Sequence, residues 1–246
     1  MDPYTALSVT DLFKGNTYPG RGIIIGMTPD AKNACAAYFI MGRSPNSRNR
    51  VFAQYGDVLK TEPFDVSKAG DTSLTIYAAI RSFSNRLIIT NGDQTDTVLE
   101  GLRAGKSFSE SLLTRCFEPD APHFTPRISG MLTFEDTGFS YEMSILKSAD
   151  AAGSACTRHT FSYPALPGIG HCIHTYVRDG APLPSFTGEP RRVMMRNDPD
   201  AFTEELWNAL DENNRVSLHV RYTDLSDGSI LTRTVNRNRR VQYAGV

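Results

Sequence analysis

Three arginines crowd one short stretch of the chain, and their guanidinium groups are the first side chains here that could do chemistry. Between Tyr38 and Phe52 the residues run Tyr-Phe-Ile-Met-Gly-Arg-Ser-Pro-Asn-Ser-Arg-Asn-Arg-Val-Phe. Arg43, Arg48 and Arg50 stand among Ser44, Asn46, Ser47 and Asn49. Like charges this close repel one another unless an anion or an acidic partner sits among them. The planar fork of arginine matches phosphate oxygens two at a time. Gly42 and Pro45 mark a turn, so the segment reads as strand, tight arginine loop, strand. The loop reads as one wall of a site for a phosphate-bearing ligand.

Two further stretches could complete such a site. Asn91-Gly-Asp-Gln-Thr-Asp96 is polar throughout and lies where a strand pattern gives way to a helical one. Asp93, Thr95 or Asp96 could cap that helix. Capping needs one such residue, and here five polar side chains surround a glycine. Free N–H groups at the helix start suit a phosphate or a polar base edge, so capping and binding stand level. Phe124-Thr-Pro-Arg-Ile128 places Arg127 where a proline-stiffened loop enters a strand, with Glu118, Asp120 and His123 just before it.

Other motifs carry less. Gly101-Leu-Arg-Ala-Gly105-Lys106-Ser107 has Glu100 where a phosphate-binding loop needs glycine, and it follows a helix rather than a strand. Gly168-Ile-Gly170 lacks the rest of a dinucleotide fingerprint. His171 and His174 fall on opposite faces of a strand, which leaves Cys172 and His174 together without a second ligand pair. Cys35 sits in an apolar run and reads as core. Arg233, Arg237, Arg239 and Arg240 have no aromatic side chain among them before Tyr243, so a solvated edge or a subunit contact is the plainer reading. No metal site is expected.

The elements that must position these residues follow from hydrophobic period. Strand patterns fall at 21–27, 34–41, 51–55, 74–80 and 86–90, with a turn at 28–33 and a loop at 61–70. The period then changes. Residues 96–104 are helical, with Val98, Leu99 and Leu102 as the apolar stripe and Gly105 as the stop. Ser107 with Glu110 forms a capping box that opens a second helix through Leu112, Leu113 and Cys116. Strands return at 127–134 and 139–147 around Asp136-Thr137-Gly138, then at 155–163 and 170–177. Beyond a loop at 182–190 come a short strand at 191–195 and a helix capped by Asp198 or Asp200. Phe202, Leu206, Trp207 and Leu210 form its inner face. A hairpin of 216–222 and 229–235 closes the chain around Asp227-Gly228. This order is not the regular alternation of a parallel sheet. It suits an α+β fold of two antiparallel sheets packed face to face with helices outside, as one domain over residues 1–246.

A formal net charge of -1 supplies no general basic field for nucleic acid or a membrane surface, so any anion site is local. No apolar run is long enough to span a bilayer, and the start of the chain lacks a signal peptide's apolar core. The four cysteines are widely spaced and form no CxxC pair. Reduced thiols in a cytoplasmic protein are expected.

At these residues the chain resembles the archaeal-type IMP cyclohydrolases. The matching pieces, in the family's order, are Gly20-Arg21 with the apolar run to Gly26, the arginine loop, Leu74-Thr-Ile-Tyr77, Asn91 to Asp96, and Thr125-Pro-Arg-Ile128. The resemblance implies a four-layer α-β-β-α sandwich like that of the N-terminal-nucleophile hydrolases, without their nucleophile. It implies a cofactor-free enzyme that closes 5-formamidoimidazole-4-carboxamide ribonucleotide to IMP with loss of water. By the same resemblance Arg43 is the catalytic guanidinium, Tyr77 a hydroxyl donor or proton relay, and Glu118 the general acid or base. Arg21, Ser44, Arg48, Arg50, Asn91, Asp93, Thr95, Asp96, Thr125 and Arg127 would hold the purine ribonucleotide. The arginine loop is longer than the family's Arg-Ser-Phe-Pro-Asn-Arg, which leaves Arg48 as a rival to Arg43. Asp120 likewise rivals Glu118. A homo-oligomer is expected, with a purine-nucleotide-binding protein of the same fold that lacks the reaction as the alternative.

Overall fold

The computed structural model describes residues 4–70 and 72–238. A short helix α1 (Val9–Phe13) precedes β1 (Arg21–Met27) and β2 (Asn33–Met41). One helical turn, α2 (Pro45–Arg48), leads to β3 (Arg50–Tyr55) and β4 (Val58–Pro63). Strands β5 (Ala78–Phe83) and β6 (Arg86–Thr90) precede helices α3 (Gln94–Arg103) and α4 (Phe108–Ser111). Then come β7 (Arg127–Glu135), β8 (Gly138–Ser148), β9 (Cys156–Pro164), β10 (Ile169–His174) and β11 (Arg191–Met194). Helix α5 (Pro199–Ala209) and the pair β12 (Arg215–Asp224) and β13 (Ile230–Asn236) follow.

The strands form two antiparallel sheets, ordered β11-β10-β1-β2-β12-β13 and β3-β4-β5-β6-β7-β8-β9. Alternation along each strand sorts its side chains between two faces. Ile23 and Ile25 of β1 point between the sheets, where they meet Tyr38, Ile40, Phe52, Ile80, Ile89, Ile128 and Ile145. Ile24 points the other way, packing with Phe39, Phe13 of α1, and Phe202 and Leu206 of α5. On the far side of the second sheet, Ile88, Met131 and Leu146 meet Val98, Leu99 and Leu102 of α3 and Phe108 of α4. Helices therefore cover both outer faces, as the sequence predicts.

Four expectations change. Residues 61–70 are not all loop, because β4 extends to Pro63. Its inward pair, Leu59 and Thr61, alternates with the exposed Lys60, and the charges mask the apolar period. The strand expected from Leu74 begins at Ala78, since Thr75 and Ile76 fold back in a turn onto Thr72 O. Helix α1, capped by Ser8, is too short to show a period. The arginine loop does not join paired strands. β2 and β3 lie in different sheets, and Pro45 opens a helical turn capped by Ser44. The loop therefore crosses from one sheet to the other.

None of the four cysteines is in a disulfide. No described helix is long and apolar enough to cross a membrane. Arg233 pairs with Asp200, and Arg237 donates to Asn213 O at 2.6 Å. Arg239, Arg240 and Tyr243 lie outside the described residues.

His171, His174 and His219 are buried, and burial holds each imidazole at about 4, against an ordinary value of 6.5. Between those values the unfolded chain binds more protons than the folded one. The histidines' contribution to stability is thus complete above about pH 6.5 and is lost as the pH falls toward 4. The melting temperature should drop across that window, and His219→Gln should flatten the drop. A parent and variant with parallel pH profiles would contradict this.

Candidate active site

The sheets part at one end, and the loop that crosses between them lines the opening. A cavity of about 450 Å³ lies there, bordered by Arg21, Arg43, Ser44, Arg50, Glu118 and Thr125 among others. Its size falls within the roughly 300–1,000 Å³ usual for small-ligand sites. Arg21 opens β1, Arg43 and Ser44 follow β2, and Arg50 opens β3. Glu118 and Thr125 come from the loop before β7. Gly20 bends the chain ahead of Arg21 at φ +82°, and a Cβ there would stand 2.1 Å from Thr175 Oγ1.

Arg21 and Glu118 are buried and bonded fork to fork. Arg21 Nη1 donates to Oε1 at 2.9 Å and Nη2 to Oε2 at 3.0 Å. Nη1 also reaches Asn91 O at 2.8 Å. Burial works against the guanidinium charge, but Glu118 and then Tyr77 outweigh it and hold Arg21 well above its ordinary range. Beneath this pair the Tyr38 and Tyr77 hydroxyls meet at 2.7 Å. Burial, then repulsion from Tyr77, pushes the Tyr38 hydroxyl far up.

Arg50 is also buried, and it has no carboxylate partner among the described residues. Its Nε donates to Ser47 O at 2.8 Å and its Nη2 to Met41 O at 3.1 Å. Arg43 stands half-exposed at the rim, bonded to Asp179 and to Gly180 O, with its guanidinium 4.9 Å from the centre of the Tyr18 ring. Tyr18 registers the convergence. Burial pushes its hydroxyl up, and the charges of Arg50, Arg21 and Arg43 each pull it back. Guanidinium groups from the start of β1 and from the two ends of the β2–β3 loop thus border one cavity and surround one tyrosine.

A family model described as IMP cyclohydrolase-like protein matches residues 18–228. The chain belongs to that family. It is 29% identical over 129 residues to an IMP cyclohydrolase of Methanococcus maripaludis, covering 50% of this chain and 62% of that one. It is 31% identical over 115 residues to an IMP cyclohydrolase of Methanopyrus kandleri, covering 46% and 57%. The chain therefore spans about three fifths of the length of these curated relatives.

Set beside the IMP cyclohydrolase-like family's expected residues, the structure separates two groups. Arg21, Arg43, Ser44, Arg50, Glu118 and Thr125 line the cavity, as does Asp120. Asp120 is occupied by Thr125, whose N–H and hydroxyl both donate to it. Arg48 turns away, donating to Gly42 O and Asn214 Oδ1 at 2.9 Å each. Tyr77 lies below the floor against Tyr38.

The polar run after β6 does not line the cavity. Asn91 Nδ2 donates to Pro126 O at 2.9 Å, and Asn91 Oδ1 accepts from Ile128 N at 2.9 Å and Gln94 Nε2 at 2.9 Å. Thr95 bonds Thr90, and Asp96 pairs with Arg81. Asp93 makes no capping bond. It binds Arg115 and Arg127 instead, and although burial opposes its ionisation, the two arginines hold its carboxyl below the ordinary range. Gly92 is packed so closely that a Cβ would lie 2.6 Å from Arg127 Nη1. This cluster ties β6 and α3 to β7, directly behind Arg21.

Sequence reasoning missed Tyr18, Tyr176, Leu183 and Asp179. Tyr18 and Tyr176 stack at 5.9 Å on the cavity wall, and Tyr176 OH bonds Thr125 at 2.5 Å. Leu183 N donates to His123 Nδ1 at 3.1 Å, and both residues line the cavity. Tyr18-Pro-Gly-Arg21 carried a faint signal, an aromatic beside a turn and an arginine. The others come from a proline-rich loop with no motif.

Proposed function

We propose that this cavity binds a purine ribonucleotide and closes 5-formamidoimidazole-4-carboxamide ribonucleotide to IMP with release of water. The observation that carries the reading is the convergence of Arg21, Arg43 and Arg50 around Tyr18, with Glu118 in the same wall. The helix-covered pair of facing sheets supports the four-layer sandwich of the N-terminal-nucleophile type, in one domain. Family membership and the name of the curated relatives support the reaction.

Ring closure joins the carboxamide nitrogen to the formyl carbon, and the formyl oxygen then leaves as water, with one hydrogen from that nitrogen and one from the formamido nitrogen. The nitrogen is a poor nucleophile because its lone pair is delocalised, so a base must take its proton. Glu118 fits that role. Arg21 engages both carboxylate oxygens, but each keeps a second lone pair. Arg43 neutralises the charge that develops on the formyl oxygen, in exchange for its contact with Asp179. The Tyr77–Tyr38 hydroxyl pair lies outside the cavity lining, so Tyr77 acts indirectly, through the floor beneath Arg21 and Glu118. Arg50, buried and without a carboxylate partner among the described residues, takes the phosphate and so orients the ring. Asn91, Asp93, Thr95, Asp96 and Arg127 act indirectly, by bracing the wall behind Arg21.

Arg43→Ala tests this most simply, because its side chain is at the rim and its loss leaves the core intact. Turnover should fall by about 100-fold or more, the scale of losing one donor to a developing oxyanion. The melting temperature should stay near that of the parent. Ring closure at the parent rate would reject the role.

A second reading keeps the nucleotide and drops the reaction. It draws on the Arg21–Glu118 pair, which by itself is a structural contact. Glu118→Gln separates the two readings, since a pure binder would retain its nucleotide affinity and have no turnover to lose.

A further inference from the structure

The opposite end of the sandwich holds a second cavity, of about 310 Å³, and another buried arginine, Arg221, faces it. Arg221 lies toward the end of β12, opposite Ala36 of β2, while Met41 of the same strand borders the first cavity. Five residues separate Ala36 from Met41, so the two sites are roughly 17 Å apart at about 3.4 Å per residue. Val220 and Tyr222 face the outer helices, which turns Arg221 inward between the sheets.

Arg221 is only 8% exposed, yet it is poorly satisfied. Its single hydrogen bond among the described residues runs from Nε to Thr223 Oγ1 at 3.4 Å, and it forms no ion pair. Burial pulls the guanidinium below its ordinary range, and the charge of Asp57 only partly offsets this. Asp224 accepts hydrogen bonds from Ser226 and Glu135 one from Ser140, and Arg86 adds a second guanidinium to the lining. Ser82 belongs to β5, on the same face as the inward Ile80, and its buried Oγ has no partner among the described residues. Leu87, Phe134 and Leu225 supply apolar walls.

A buried charge needs a counter-charge, and a buried hydroxyl needs a partner. Here Arg221 has only the Asp57 charge set against it, Ser82 Oγ has no partner among the described residues, and both side chains border the same space. We propose that this far mouth is a second ligand site, in which the Arg221 fork and the Ser82 hydroxyl take one small oxyanion, a carboxylate or a phosphate group. Arginine binds either in two-pronged fashion, and the cavity is too small for more than a compact molecule.

Side-chain ¹⁵Nε–¹Hε spectra of the arginines in the full chain test this site by site, so phosphate entering the first cavity does not confuse the result. The Arg221 signal is assigned by its loss in Arg221→Gln, or in Arg221→Lys should the first variant fail to fold. Inorganic phosphate and acetate are titrated separately. The Arg221 signal should shift and saturate with at least one of them. Ser82→Ala should weaken that binding by about tenfold, as expected for one hydrogen bond to a charged group. A response to acetate alone identifies a carboxylate ligand, and a response to phosphate alone a phosphoryl one. An Arg221 signal that moves with neither anion, or a response that Ser82→Ala leaves unchanged, overturns the proposal.

Discussion

Glu118→Ala should cost the protein about 3–5 kcal/mol of stability, the range for breaking a buried ion pair from one side. The substitution leaves Arg21 buried, charged and facing a hole where two hydrogen bonds were made. Glu118 is the largest favourable influence on the Arg21 charge, so its removal exposes the full burial penalty. For a chain of this length, about 2–4 °C per kcal/mol converts to a melting temperature roughly 6–20 °C lower. Ring closure should vanish as well, for want of a base. Glu118→Gln separates the two effects. It keeps the shape and one acceptor, so it should recover part of the stability and none of the turnover. Calorimetry beside an activity assay reads both, and an Ala variant that melts with the parent would remove the pair from the account.

Arg50→Ala should act on affinity instead. Its guanidinium is anchored by two backbone carbonyls and has no carboxylate partner among the described residues, which leaves its remaining donors for an anion. Two charge-assisted hydrogen bonds to phosphate, at about 1.5–3 kcal/mol each, amount to a loss of 100-fold or more in affinity for a purine monophosphate. The effect should show as a raised KM with a smaller change in kcat, the pattern of lost uniform binding. The corresponding nucleoside, which lacks the phosphate, should bind parent and variant alike. Equal weakening of nucleoside and nucleotide would mean that Arg50 shapes the cavity without touching phosphate.

Much of the fold could be read from local chemistry. The Arg-Gly-Ile-Ile-Ile-Gly-Met run gives β1 its full extent, because a strand buried on both faces needs apolar residues at successive positions. The Ser107–Glu110 capping box and the Asp198 cap form as their types predict. What the chain does not display is which strands pair. The arginine loop looks like a hairpin turn because its flanks are apolar, yet those flanks belong to different sheets. That crossing is what brings Arg43 to the cavity rim and Arg50 into its wall.

The site was legible in outline for a related reason. Arginines stand out by type, but their direction depends on backbone geometry that spacing does not reveal. The α2 turn sends Arg48 back onto Gly42 O, while Arg50, two residues on, reaches the cavity. Likewise Asn91 to Asp96 advertises polar groups without saying whom they serve. At a buried strand-to-helix junction, free backbone groups claim them first. Tyr176 and Asp179 stayed invisible because nothing local distinguishes a cavity tyrosine or a rim aspartate from any other.

The central claim is that guanidinium groups from β1 and from the loop between β2 and β3 form one nucleotide site with a working base. Mixing the purified protein with 5-formamidoimidazole-4-carboxamide ribonucleotide and following purine absorbance tests it directly. The account predicts IMP appearing at a rate proportional to protein concentration, lost in Glu118→Gln and slowed by about 100-fold or more in Arg43→Ala. No absorbance change above the protein-free control, with IMP still raising the melting temperature, would leave a binding protein and contradict the enzyme.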